Sequence, residues 1–158
     1  MSFTKKNFVS DMTDRELIYK TLVNGIPYGI IGSVTHHDEE TNELVEIDGQ
    51  IKGLRNNGYV EFYYPDGSFN LFRINDVKPY LRPLSSVTND MWKVFDKHID
   101  GVENFTRPTA IMCMDNAIHF LIKHHIDYRD MIDRGLALPA KDGMYSPPIW
   151  AFVPTGGR

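Results

Sequence analysis

The sequence predicts an α+β fold: one helix, then a small antiparallel SH3-like β-barrel, then a helical region. Three observations predict it. A capped segment of helical period opens the chain, and short runs of period two separated by turn residues fill residues 26–84. Capped segments of helical period then return after residue 85. The chain accordingly divides into 1–25 (N-terminal segment and helix), 26–84 (barrel) and 85–158 (helical region with an apolar C-terminal tail).

In "MTDRELIYKTLVNG", Thr13 and Glu16 have the spacing of a capping box, in which each side chain accepts the other's backbone N–H. Met12 and Leu17 stand at the staple positions. Gly25 stands where a left-handed C-terminal cap belongs, so the helix is placed at about 14–24.

Between Pro27 and Leu84 the runs "YGIIGSVTHH", "NELVEIDGQIKGLR", "YVEFYY" and "SFNLFRI" are rich in Ile, Val, Tyr and Phe, and "DEETN", "NNG" and "PDG" separate them. Pro65-Asp66-Gly67 is a hairpin turn, because proline presets φ and glycine accepts the left-handed position. Alternation puts Val60, Phe62 and Tyr64 on one face and Phe69, Leu71 and Arg73 on another. Four or five short strands cannot make a large sandwich; closure into a barrel would remove their edges. Pro79 and Pro83 argue against a central strand over "VKPYLRP" and predict a turn, a short edge strand and a linker.

Thr88 is placed to cap a helix over 89–99, with Met91, Trp92 and Phe95 on one face. Thr106-Arg107-Pro108 opens a longer helix to about His124, its stripe made of Ile111, Met114, Ile118, Leu121 and Ile122. "LALPAKDGMY" reads as a short extended piece and an Asp-Gly turn. "SPPIWAFVPTGGR" reads as an apolar tail that docks as an edge strand around Trp150–Val153.

"LIKHHIDYRDMIDRGLAL" poses the main chemical question. Asp127 has the position of an N-cap for a short helix "YRDMIDR" that Gly135 ends, with residue 129 or 130 donating to its carboxylate. His124 and His125 are neighbours, so on a helix they point about 100° apart and do not share one ion. The reading is a structural corner made of His124, His125, Asp127 and Gly135. "THHDEE" reads as a solvated turn rather than a metal site, and Cys113, the single cysteine, as a buried inert thiol. No phosphate loop, nucleophile elbow or zinc-protease motif occurs, so no catalytic residue, cofactor or metal is assigned.

The single cysteine, the lack of a signal-peptide pattern and the lack of an 18-residue apolar run lead to the expectation of a cytoplasmic protein without a membrane partner. The formal charge is −4 overall and −4 over residues 26–84, which disfavours nucleic acid as a partner unless Lys52, Arg55, Arg73, Lys78 and Arg82 gather on one face.

"VKPYLRPLSSVT" followed at a distance by "FLIKHHIDYRDMIDRGLAL" resembles a family of small uncharacterised proteins of phages and mobile elements in Bacteroides-type gut bacteria. The recurring blocks there are roughly K-P-x-L-R-P-L-S-x-[ML]-T and W-L-x-x-x-H-F-D-x-x-G-L-I-x-x-G-L-A. Ile126 stands here for the usual Phe, and Asp130-Met131 for the usual Gly-Leu. The match covers about 30 residues and implies a phage-related context, a host bacterial cytoplasm, and no activity. The functional expectation is therefore a non-enzymatic accessory protein that binds a host or phage protein through Tyr63, Arg73, Lys78, Tyr80, Arg82 and Trp150. Nucleic-acid binding by a small barrel with aromatic stacking platforms is the alternative.

Overall fold

The computed structural model describes residues 12–145; the tail around Trp150 lies outside the described residues. Helix α1 (Asp14–Gly25) starts at the expected capping box: the Thr13 hydroxyl accepts Glu16 N–H at 3.2 Å, and the Glu16 carboxylate accepts Thr13 N–H at 3.1 Å. Its C-terminus differs from expectation. Gly25 is right-handed (φ −85°), a 3-10 turn over Ile26–Tyr28 continues from it, and the left-handed residue is Gly29 (φ 73°). Glycine is needed at 25 for space instead, since a Cβ there would meet the Ile30 Cδ1 at 2.6 Å.

Strands β1 (Ile31–His37), β2 (Leu44–Leu54), β3 (Tyr59–Tyr63), β4 (Phe69–Arg73), β5 (Val77–Leu81) and β6 (Leu138–Pro139) form one sheet in the order β4-β3-β2-β1-β5-β6. All neighbours are antiparallel except β5 and β6, which run parallel. The β3–β4 hairpin turns at Pro65-Asp66-Gly67 as expected, with Gly67 at φ 89° and Asp66 accepting from Ser68.

The α+β class is as expected; the closed SH3-like barrel is not. β5 pairs with β1 on one side, and its other side is taken by β6, reached from beyond α3, and by the Arg82–Ile126 bridge. The groups that would have met β4 are therefore already bonded, and the sheet stays open. The same pairing makes β5 an inner strand, against the expectation from Pro79. Proline is accommodated because pairing with β1 covers 77–79 and pairing with β6 covers 80–81, so Pro79 stands where one partner hands over to the other.

Helices α2 (Asn89–Ile99, capped by Thr88, whose hydroxyl accepts Met91 N–H) and α3 (Arg107–Lys123) match their expected spans. The expected α3 stripe holds only at its C-terminal end, where Leu121 is buried and Ile122 half-buried. Ala117, Phe120 and Leu121 are buried, whereas Ile111 (66%), Met114 (53%) and Ile118 (41%) are exposed. Apolar residues surround much of α3, so periodicity did not choose the packed side; α2 did, through Met91 against Phe120 and Leu121.

Alternation within the sheet places its two faces. Val34, Ile51, Val60, Phe62 and Val77 point into the main core, which α1 closes with Leu17, Ile18 and Leu22 and which Met131 and Ala137 complete from the C-terminal region. All three segments of the chain thus share that core. The opposite face carries Tyr63, Phe69, Arg73, Lys52 and Lys78.

Candidate partner-binding surface

The open face is built by register. β3 and β4 pair Tyr63 with Phe69, Glu61 with Leu71 and Tyr59 with Arg73, so these six side chains share the side away from the core. Tyr63 and Phe69 stack at 5.3 Å with 24° between their planes, and Phe69 is 51% exposed. Lys52 on β2 places its Nζ 4.7 Å from the centre of the Tyr63 ring. The result is a two-ring platform with a cation on one flank and Arg73 four residues along the edge strand, on the same face.

Of the cations in residues 26–84, Lys52, Arg73 and Lys78 lie exposed on this face. Arg55 is paired with Glu61 at 3.2 Å, and Arg82 is 5% exposed. The gathering is thus partial, and Glu46 and Glu61 share the face with it.

Two residues expected to contact a partner are occupied by the fold. Tyr80, 3% exposed, donates its hydroxyl to Asp48 at 2.6 Å, and Lys141 holds the other Asp48 oxygen at 2.6 Å while its Nζ sits 5.3 Å from the Tyr80 ring centre. Burial pushes the Asp48 carboxyl upward, but hydrogen bonds from Lys141 and Tyr80 outweigh it and hold it below its ordinary value. Arg82 turns inward and donates to the carbonyls of His124 (3.2 Å) and Tyr145 (3.1 Å). Trp150 lies outside the described residues.

The histidine corner is held by hydrogen bonding and ring stacking, in a backbone conformation that differs from the expected one. His125 ends the run after α3 in a left-handed conformation (φ 55°). Its Nε2 lies 2.8 Å from the Tyr28 carbonyl oxygen, which can only accept, so Nε2 carries the proton. Its ring stacks on Tyr145 at 3.9 Å. Burial first and the Arg82 charge after it lower both His125 and His124 to about 4, and the bond to Tyr28 opposes the shift at His125. Both rings are neutral at pH 7. Among the described residues no group of three His, Cys, Asp or Glu side chains is placed to hold a metal.

Asp127 caps a turn rather than a helix. Residues 128–137 are non-helical, because Asp130 is left-handed (φ 60°) and interrupts the backbone two residues after Tyr128. The carboxylate reaches past it: Oδ1 accepts Met131 N–H at 2.8 Å and Oδ2 accepts Ile132 N–H at 2.9 Å, not residues 129 or 130. Gly135 is left-handed (φ 75°) at the end of this turn. Because both oxygens are used, Asn is only half a substitute, with its amide NH2 facing one of the two donors. Asp127→Ala is expected to cost about 2–3 kcal/mol and Asp127→Asn about half of that. Urea unfolding of both checks it, and equal loss in the two variants would show that only the charge matters.

A cavity of about 30 Å³ lies at this corner, between Thr21, Gly25, Ile122, His125 and Met131. It is an order of magnitude below the volume a metabolite needs.

The site residues that sequence reading missed are Phe69, Asn70 and Tyr145. Phe69 carried a signal: a four-residue turn at 64–67 pairs it with Tyr63. Tyr145 carried none, since its partners are more than a hundred residues away at Ile31 and 65 away at Tyr80. Compared with protein-family models, curated proteins and solved structures, the chain matches none.

Proposed function

We propose that this chain is a non-enzymatic accessory protein, of the phage or mobile-element kind its two sequence blocks resemble, acting by protein–protein binding. The observation that carries the reading is the exposed Tyr63–Phe69 stack flanked by Lys52 and Arg73 on the side of the sheet away from the core. Rigid aromatic pairs beside cations are the residue types that anchor protein interfaces, because they bury large area at low entropic cost. Neither Lys52 nor Arg73 forms an ion pair among the described residues, so both remain available to a partner's carboxylates.

A nucleic-acid reading draws on the same stack, since bases also lie on aromatic platforms. Against it stand Glu46 and Glu61 on that face and the net −4 of residues 26–84. The test separates the two. Tagged protein and its Phe69→Ala variant are used to capture material from bacterial lysate with and without nuclease, and the eluates are read by mass spectrometry. The expected result is a protein retained after nuclease by the wild type and reduced about tenfold by Phe69→Ala, with unchanged thermal unfolding because Phe69 is exposed. Retention that vanishes with nuclease would establish the nucleic-acid reading instead. Equal retention by both proteins would remove the platform from the interface.

A further inference from the structure

The register of the β3–β4 hairpin fixes which backbone groups β4 turns outward. Tyr64 N–H donates to Ser68 C=O at 2.8 Å and Ile74 N–H donates to Gly58 C=O at 3.1 Å, so the hydrogen-bonded pairs are 58 with 74, 60 with 72, 62 with 70 and 64 with 68. The alternate residues Phe69, Leu71 and Arg73 therefore aim their N–H and C=O groups away from the sheet. One detail supports this directly: the Leu71 N–H is met at 2.9 Å by the side-chain oxygen of its own neighbour, Asn70. An amide inside the ladder would have no room for that bond. Among the described residues no other strand pairs with β4.

The other end of the sheet differs. β6 is two residues long and contains Pro139, whose nitrogen carries no hydrogen. β4 is five residues long and has no proline; its one charge, Arg73, stands at its last position, and Asn70 covers the Leu71 N–H.

We infer that β4 takes an added antiparallel strand from the partner: an extended segment with apolar side chains opposite Phe69 and Leu71 and a carboxylate opposite Arg73. The inference rests on the protein-binding reading above and specifies its mode. Cross-strand neighbours share a face, so the two apolar side chains would extend the Tyr63–Phe69 platform by one strand, and the carboxylate would meet Arg73. Arg73 disfavours a basic residue at the position opposite it. The Asn70 side chain swings aside when the strand arrives, and until then it keeps the Leu71 N–H bonded.

The test uses a synthetic peptide, acetyl-Ser-Glu-Thr-Val-Thr-Val-Ser-amide, titrated into 15N-labelled protein. In the proposed register its Glu and Val amides face β4 and its Thr amides face solvent. The Phe69, Leu71 and Arg73 resonances are expected to shift and saturate. N-methylation of the two Val nitrogens should abolish the shifts, and N-methylation of the two Thr nitrogens should leave them. Leu71→Pro should abolish binding while the fold persists, because the Leu71 N–H is outside the ladder, and an unchanged melting temperature checks that. Asn70→Ala should tighten binding by about two- to tenfold, since the bond that guards Leu71 no longer has to break. Absent shifts, or shifts indifferent to Val N-methylation or to Leu71→Pro, would overturn strand addition. If Phe69→Ala still loses the captured protein in that case, the platform reading stands and only the mode falls. Concentration-dependent self-association through β4, seen by sedimentation without peptide, would also overturn the inference by making a second copy the occupant.

Discussion

Tyr145→Ala is expected to lower the unfolding free energy by about 3–5 kcal/mol, the usual cost of deleting a buried aromatic ring. Tyr145 is 7% exposed, and each part of it is used. Its ring stacks on His125; its hydroxyl accepts Ile31 N–H at 3.0 Å and donates to Tyr80 C=O at 2.7 Å; its own carbonyl accepts from Arg82. Burial raises the phenol well above its ordinary value, so the hydroxyl stays a donor throughout the accessible range. One side chain thus joins β1, β5 and the α3 corner. Tyr145→Phe keeps the stack and loses only the hydroxyl bonds, which should cost about 1–2 kcal/mol. Urea unfolding of the two variants checks both values. An alanine cost below about 1 kcal/mol would show that the segment ending at Tyr145 contributes little to the fold.

Stability is expected to be level above about pH 6.5 and to fall as pH drops from there toward 4, with a contribution of about 3 kcal/mol from His125. Both corner histidines have folded values lowered to about 4 from 6.5, first by burial and then by Arg82. The unfolded chain therefore binds protons that the folded chain excludes. That stability is fully present above the unfolded value and disappears as pH falls through the folded one. His124 adds a smaller contribution of the same sign, because it is only half-buried. Asp48 also has a lowered value, but its contribution is lost only as pH falls through and below the ordinary carboxylate range, beneath the histidine window. The control is His125→Asn, since asparagine accepts the left-handed backbone at 125 and has no charge to gain. It should be less stable at pH 7 and show a flatter pH dependence. A wild-type curve that is flat between pH 7 and 4.5 would show that the corner opens to water.

How the proposed surface reads in the sequence depends on the distance of each interaction along the chain. Alternation in "YVEFYYPDGSFNLFRI" divided Val60 and Phe62 from Phe69 and Arg73, and the turn chemistry set their register, so the strand-and-face arrangement was legible. The availability of Tyr80 and Arg82 was not. Tyr80 is covered by Lys141 and Arg82 is drawn inward by two carbonyls, contacts spanning 42 to 63 residues. An edge tyrosine and a buried one look alike in a linear pattern.

The sequence alone determined the helix starts at Thr13 and Thr88, the Pro65-Asp66-Gly67 turn, the spans of α2 and α3, and the α+β class. Each rests on a hydrogen bond or a steric preference acting within about four residues, where covalent geometry leaves few alternatives. Tertiary structure alone decided that the sheet stays open, that α3 buries Ala117 and Phe120 rather than Ile111 and Met114, and that Asp127 reaches Met131 and Ile132. Those outcomes are competitions between distant segments for the same partner. β6 takes the side of β5 that closure would have needed, α2 selects one of several apolar sides of α3, and a left-handed Asp130 removes the helix that Asp127 would have capped. Local propensity ranks the contestants equally, and packing selects among them.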